Sequence, residues 1–270
     1  MSGGFLLSDT YVQLLDGGAA VSDRFDRFTR AERPDLGALM DVVVAQAWAA
    51  TPFIYSNDVE DAYLEIIRET PAFTFGLVER ATGRLAAVGN AAPIAVSSDD
   101  LAALPDSGWK WQVLRAKAVR DGDPPTHLGA FTASVSPLFR GQGVSALVLA
   151  GFKALARRSG LSGVLAPVRP PSKASCPGID IEEFLDRARE DGLPADPWVR
   201  THVRIGGRIA GTPRCALVVD LELDFWEVWL GRPILPSERS FEIPGGLAPV
   251  YVQGRRGRYE EPAVWIVHSL

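Results

Sequence analysis

The chain has 270 residues, 47% hydrophobic and 23% charged, with a formal net charge of -5. That is the make-up of a globular protein with enough chain for a substantial core. The acidic balance argues against a nucleic-acid partner, because it repels phosphates. The one dense basic run, Arg255-Arg256-Gly257-Arg258, reads as a solvated loop. Cys176 and Cys215 are far apart, lack metal-ligand spacing and read as reduced thiols. There is no basic-flanked apolar run of leader length and no unbroken apolar window of membrane length. The expectation is a cytoplasmic protein without a membrane partner.

Residues 1–31 are mixed. Tyr11-Val12-Gln13-Leu14-Leu15 reads as a short strand or helical turn broken by Gly17-Gly18, and Phe25 and Phe28 are spaced for one helix face. From Pro34, Leu36, Leu39, Met40, Val43, Val44 and Ala47 recur at helical spacing, and that helix ends before Thr51-Pro52. A second helix is predicted from Val59 to Glu69, with Asp58 as N-cap and Pro71 as stop. Phe73–Glu79 and Leu85–Val96 read as a β-hairpin around Ala81-Thr82-Gly83-Arg84. Ser97 to Pro125 is polar, holds Trp109 and Trp111, and is long for a plain loop. It is read as a lid or substrate-binding insertion with a short helix at Gln112–Val119.

Leu128 to Val135 is a strand that feeds Arg140-Gly141-Gln142-Gly143-Val144-Ser145. A strong helix follows from Val144 to Ser159, stopped by Gly160. Gly163–Val168 is the next strand, so strand, crossover helix and strand predict two parallel neighbours. Ile181–Glu190 is read as a helix. Asp196-Pro197 opens another, from Trp198 to Ile209. Ala216–Leu223 is a strand. The tail holds Phe225, Trp226 and Trp229, read as packing, a turn at Ile243-Pro244-Gly245-Gly246, and strands at Pro249–Gln253 and Ala263–Val267. There is no internal repeat and no low-complexity linker. One elaborated domain over residues 1–270 fits best.

The glycine turn opens a helix, where backbone N–H groups converge beside the positive end of the helix dipole. That is a site for phosphate or pyrophosphate. Gly141-Gln142-Gly143-Val144-Ser145-Ala146 formally matches a dinucleotide fingerprint. Against that reading, the motif lies mid-chain, an arginine precedes it, and the next strand ends Pro167-Val168-Arg169 with no acid to hold a ribose.

Arg140-Gly141-Gln142-Gly143-Val144-Ser145 resembles the (Arg/Gln)-x-x-Gly-x-(Gly/Ala) turn of the GNAT superfamily of N-acetyltransferases, with Ser145 in the last place. The order of elements from about residue 35 to 223 agrees, and residues 224–270 form a C-terminal extension. The layout is similar to GNAT-like proteins common in high-GC bacteria. The resemblance implies an α/β (α+β) fold, a central mixed sheet with splayed parallel strands flanked by helices. It implies acetyl-CoA or another acyl-CoA as co-substrate and no metal. The pyrophosphate would be held by Val135, Arg140, Gly141, Gln142, Gly143, Val144 and Ser145, Ser134 would also bind the cofactor, and the pantetheine arm would lie between Thr132–Val135 and Val164–Val168. The acceptor would be a small molecule, an amine in the first instance. A homodimer is left open.

Acyl transfer to an amine calls for an oxyanion donor, a base and an acid for the leaving thiolate. In the family the acid is often a tyrosine four residues before a glycine. Here that place, four before Gly206, holds His202, so the resemblance implies a catalytic His202, against the plain alternative of a packed helix-face histidine. The family's carboxylate on the strand before the turn has no counterpart, since Leu128–Ser136 offers only Thr132, Ser134 and Ser136. A water relay, Glu79, Glu260 or Glu261 could serve instead. Arg169 and Lys173 are expected to bind substrate at the carboxyl edge of the sheet, or to be ordinary loop charges. His127 is expected at the surface, and His268 receives no role. The leading reading is an acyltransferase. The alternatives are a catalytically silent fold that binds acyl-CoA as a sensor or interaction module, and an aminoacyl-transferase using charged tRNA, which the acidic charge opposes.

Overall fold

The hairpin read at residues 73–96 lies in an eight-stranded sheet. The computed structural model describes Phe5–Leu6 and residues 23–270, and the stretch Tyr11–Leu15 falls outside them. In chain order the elements are β1 (Phe5–Leu6), β2 (Phe25–Thr29), α1 (Gly37–Trp48), α2 (Glu60–Glu69), β3 (Thr74–Glu79), β4 (Leu85–Ile94), α3 (Ser98–Ala102) and α4 (Gly108–Arg120). They continue with β5 (His127–Val135), α5 (Val144–Arg158), β6 (Gly163–Val168), α6 (Ile181–Leu185), α7 (Pro197–Arg204), β7 (Gly207–Gly211), β8 (Leu217–Glu222) and α8 (Leu223–Leu230). The last are β9 (Ser240–Phe241), β10 (Val250–Gln253), β11 (Arg256–Glu261) and β12 (Val264–Ser269).

The main sheet runs β1-β2-β3-β4-β5-β6-β12-β7, and a second sheet runs β8-β11-β10-β9. Among the described strands only β5 and β6 pair in parallel, as the crossover through α5 requires. β12 from the tail lies between β6 and β7, antiparallel to both, so the extension completes the main sheet rather than hanging from it. Phe25 and Phe28, read as a helix face, belong to β2, which pairs from Phe25↔Glu79 to Thr29↔Phe75.

One face of the sheet is covered by α5, which buries Leu147, Val148, Leu155 and Ala156. The Phe75 ring slots between β4 and α5. A Cβ at Gly151 would stand 2.4 Å from Phe75 Cζ, and one at Gly89 2.7 Å from it. The other face carries α2 and α4, whose Tyr63, Ile66, Ile67, Val113 and Ala116 pack with Phe131, Leu165 and Trp265. Residues 97–125 are therefore a layer of the core rather than a lid. Within them Gln112 Nε2 donates to the Ala130 carbonyl at 3.0 Å.

The second sheet buries Trp226, Tyr259, Val219 and Val250 with Phe53. The tail tryptophan packs as expected, and Trp226 Nε1 donates to the Gly257 carbonyl at 2.9 Å. The basic run is not a solvated loop. Arg256 and Arg258 lie on β11, paired with Asp220, Glu222 and Glu260.

Helix ends follow local chemistry. Val59 N–H donates to Asn57 Oδ1 at 3.0 Å, so Asn57 stabilises that start, whereas Asp58 pairs with Lys110. Asp196 caps α7 as expected, accepting from Trp198 N and Val199 N at 2.9 Å each. The helix read to Glu190 stops at Leu185, before a bridge between Ala188 and Pro194. The helix read to Ile209 stops at Arg204, where Gly206 takes φ +87° and the chain turns into β7. Among the described residues no helix is long and apolar enough to cross a membrane.

Candidate active site

β5 and β6 pair only at Leu128↔Val164 and Gly129↔Leu165, although β5 runs on to Val135 and β6 to Val168. Beyond those pairs the strands part. The register also shifts between Asn90 and Ala91, which face Thr132 and Ala130 and leave Phe131 as an extra residue. A bulge there re-aims the side chains of β5. The opening is a cavity of about 980 Å³.

The glycine turn stands at one end of it. Gly141 and Gly143 take φ +75° and +76°, the left-handed region that favours glycine. Among the described residues, each glycine's chain neighbours aside, no heavy atom lies within 4 Å of a Cβ placed at either, so the space over the turn is open. Gly143 is the N-cap of α5, and no side chain caps the helix. Ala146 N–H donates to the Gly143 carbonyl at 3.1 Å, and the N–H groups ahead of it lie at the positive end of the dipole without a side-chain acceptor. Arg140, Ser145 and Val135 line the cavity. Arg140 Nη2 donates to the Ala47 carbonyl at 3.5 Å, which ties the turn to α1. Gln142 Nε2 folds back onto the Leu138 carbonyl at 2.9 Å. Ser134 is buried and its Oγ accepts from Trp48 Nε1 at 3.1 Å, so its hydroxyl anchors α1 to β5.

At another wall is His202, buried to 1% exposure. Its Nδ1 lies 2.9 Å from Nε2 of His268 on β12, and Trp198 meets the ring edge-on with centroids 4.4 Å apart. Burial and the His268 ring push the His202 pKa well below the ordinary histidine value. Burial and the Lys153 charge bring His268 down to about 4. Both rings are neutral near pH 7, so His202 lines the cavity as a neutral imidazole. The two other histidines differ from expectation: His268 is half of this pair, and His127 is 8% exposed, with Nδ1 3.0 Å from Thr126 Oγ1.

Arg169 lines the cavity but is already held. Its Nε donates to Glu261 Oε1 at 3.0 Å and its Nη2 to the Gly245 carbonyl at 2.5 Å. Tyr259 Oη donates to Glu261 Oε2 at 2.7 Å and accepts from Leu247 N–H at 2.9 Å. Burial works against the Arg169 charge, but Glu261 and Tyr259 together outweigh it and raise its pKa. Lys173 stands apart from the cavity wall. Its Nζ donates to the carbonyls of Ile179 at 2.5 Å, Leu247 at 2.8 Å and Pro177 at 3.4 Å, which staples three loop segments. Of the carboxylates weighed as bases, Glu79 binds Arg24 and Thr82, Glu260 binds Arg258, and only Glu261 reaches the cavity.

Two lining groups, Tyr63 and Glu60, were not foreseen from the sequence, and a third, Trp109, was read there as part of a lid or substrate-binding insertion. Tyr63 was read as an apolar-face residue of α2, yet its Oη accepts from Asn90 Nδ2 at 2.9 Å beside Thr132. Burial raises the Tyr63 pKa and keeps the phenol protonated. Glu60 also lines the cavity; burial raises its pKa, and Asn57 Nδ2 donates to its Oε2 at 2.8 Å. Beside them stands Trp109, with its ring 5.0 Å from that of Tyr63. No local motif marks these residues, because α2, α4 and β4 meet only in the fold.

No family model matches the chain. Arginine N-acetyltransferase avaD of Aspergillus versicolor is 27% identical over 290 residues, covering 96% of this chain and 99% of that protein. Among solved structures, the loading GNATL domain of CurA from Lyngbya majuscula superposes with a TM-score of 0.59 at 13% identity, over 91% of this chain and 97% of that one. The chain has the GNAT fold. A second structure with this fold, the GphF GNAT-like decarboxylase in complex with isobutyryl-CoA, matches at TM-score 0.54 and 20% identity, over 91% and 98% of the two chains. The splayed β5 and β6 and the turn before α5 are the parts of the GNAT fold that form this cavity.

Proposed function

We propose that the chain is an acyl-CoA-dependent N-acyltransferase that moves an acetyl or other acyl group onto a small amine. The observation that carries this reading is that an uncapped helix start behind two left-handed glycines and a buried neutral histidine open on one cavity between parted strands. The full-length similarity to an arginine N-acetyltransferase supports it. In this reading the N–H groups of Gly141 to Ser145 hold the pyrophosphate, with Arg140 adding charge, and Val135 flanks the pantetheine arm. Open space above both glycines and the absence of a capping side chain fit that load. The protein acts in the cytoplasm, with no nucleic-acid or membrane partner.

The acceptor enters past Glu60, Asp61, Trp109 and Tyr63, a wall of carboxylates and aromatic faces suited to a cationic group. Arginine is the first acceptor to test. β5 carries no carboxylate base, which favours an acceptor nitrogen that sheds its proton readily. An α-amino group sheds its proton far more readily than a guanidinium, which stays charged throughout the working pH range. The α-amine is therefore the nucleophile, and the guanidinium is the cation held by the carboxylates. The C–N bond forms as the C–S bond breaks. The amine proton leaves to solvent, and the thiolate takes one up.

The test is release of free CoA thiol from acetyl-CoA with arginine, Nα-blocked arginine, lysine and simple diamines. Release with arginine and none with the Nα-blocked compound is expected. Equal turnover of both would put the chemistry on the wrong nitrogen. A rise in Tm with acetyl-CoA but no turnover of any amine would favour a silent binding fold, and neither effect would sink the reading.

A further inference from the structure

His202 and His268 lie 66 residues apart in sequence and share one contact. Each neutral ring carries a single N–H, so two arrangements are open. In one, His202 Nδ1–H donates to His268 Nε2, and the His268 proton sits on Nδ1 in the interior. In the other, His268 Nε2–H donates to His202 Nδ1. The His202 proton then sits on Nε2, buried in a ring that lines the cavity, and His268 Nδ1 is a bare lone pair.

Among the described residues neither His202 Nε2 nor His268 Nδ1 has a hydrogen-bond partner. An orphaned N–H in a dry interior is rarer than an unfilled lone pair. Both atoms are buried, but of the two rings only His202 belongs to the cavity lining, where a bound substrate can supply the missing partner. Lys153, whose Nζ donates to the Ile205 carbonyl at 3.4 Å, is the cation that acts on the His268 ring, and a lone pair tolerates a neighbouring cation better than an N–H does. The fold also holds His268 in place. Its backbone pairs with Val164 on one side and Gly207 on the other, and a Cβ at Gly207 would come within 2.7 Å of His268 Cε1.

We infer that His268 is a positioning residue: its Nε2–H donates to His202 Nδ1, so that His202 presents Nε2–H to the cavity as a fixed neutral donor. In the acyl-transfer reading, on which this part rests, that donor serves the thioester oxygen as charge develops on it. It is not a base, because the one His202 lone pair is already engaged by His268. No bond to His202 forms or breaks in the step.

The chain has three histidines, so each ring can be followed by 15N–1H correlation of the intact protein labelled at histidine. The expected pattern is a pyrrole-type Nε2 and a pyridine-type Nδ1 in both His202 and His268, unchanged between pH 6 and 8. A pyridine-type Nε2 on His202 overturns the inference. This readout needs no turnover, so it stands or falls apart from the proposed activity. In a turnover assay, His268→Gln keeps an amide donor at the same reach and retains most of kcat. His268→Glu can only accept, and lowers kcat on the order of 10²-fold, the scale for losing one preorganised donor, with KM for acetyl-CoA unchanged. Equal kcat in the two variants overturns the positioning role. If neither variant folds, the spectrum of the unaltered chain decides.

Discussion

Replacing Gly143 by alanine separates the backbone cost of the turn from its ligand. Gly143 takes φ +76°, and a Cβ there meets nothing within 4 Å, so the penalty is conformational rather than steric. An L-residue in the left-handed region costs about 1–2 kcal/mol. For a chain of this size each kcal/mol is worth roughly 2–4 °C, so the ligand-free protein should melt about 2–8 °C lower. Acyl-CoA at a hundred times its Kd adds about 2.7 kcal/mol to the unaltered protein. In Gly143→Ala that gain should shrink, because the methyl projects into the open space over the turn. Gly83 provides the control: it takes φ +66° between β3 and β4 and is equally free of neighbours. Gly83→Ala should lose similar stability and keep the full ligand-induced shift. Differential scanning fluorimetry with and without acetyl-CoA reads both quantities. Identical ligand-induced shifts in the two variants would mean that the anion does not bind at the turn.

Lys173→Met should destabilise the protein by about 1.5–3 kcal/mol, the scale of a hydrogen bond to a charged group, and leave acetyl-CoA affinity unchanged; a weakened affinity would return Lys173 to the site. Gly151→Ala sets a helix gain of about 1 kcal/mol against overpacking of about 1–3 kcal/mol. Phe75 is fully buried and 2.4 Å away, so the clash should win and Tm should fall, and a rise would refute this packing. The His268 pKa is about 4 in the fold, against about 6.5 when unfolded. Between those values only the unfolded chain binds the proton, so stability is complete above pH 6.5 and falls towards pH 4 by up to about 1.4 kcal/mol per unit. His268→Gln should remove its own share of this slope in Tm measured against pH, leaving the share of His202, and an unchanged slope would place the titration elsewhere.

The glycine turn was legible because its chemistry is local: left-handed backbone calls for glycine, and the helix start follows within a few residues. The parallel pairing of β5 and β6 followed from the order of elements, and their parting was implied by the resemblance to the GNAT superfamily. What was hidden depends on distant partners. The run at residues 255–258 carries a two-residue alternation, with Arg256 and Arg258 outward and Gly257 under Trp226, but its charge masked the strand. Phe25 and Phe28 suggested helical spacing, and the ladder with β3 overrode it. Tyr63 sits on an apolar face like any core residue until Asn90 reaches its phenol. His268 has no local pattern, because its meaning comes from a ring on another element.

The central place of β12 has a consequence for biosynthesis. Roughly a hundred residues separate Val168 at the end of β6 from Val264 at the start of β12. At ~5–20 residues per second, the ribosome needs roughly 5–20 s to add them. Until then β6 presents a bare row of backbone donors and acceptors, and β7 lacks the neighbour it pairs with. Such an edge invites pairing with another chain. The nascent protein is therefore most prone to aggregate late in translation, and the strand that closes the gap is the one that delivers His268 to His202.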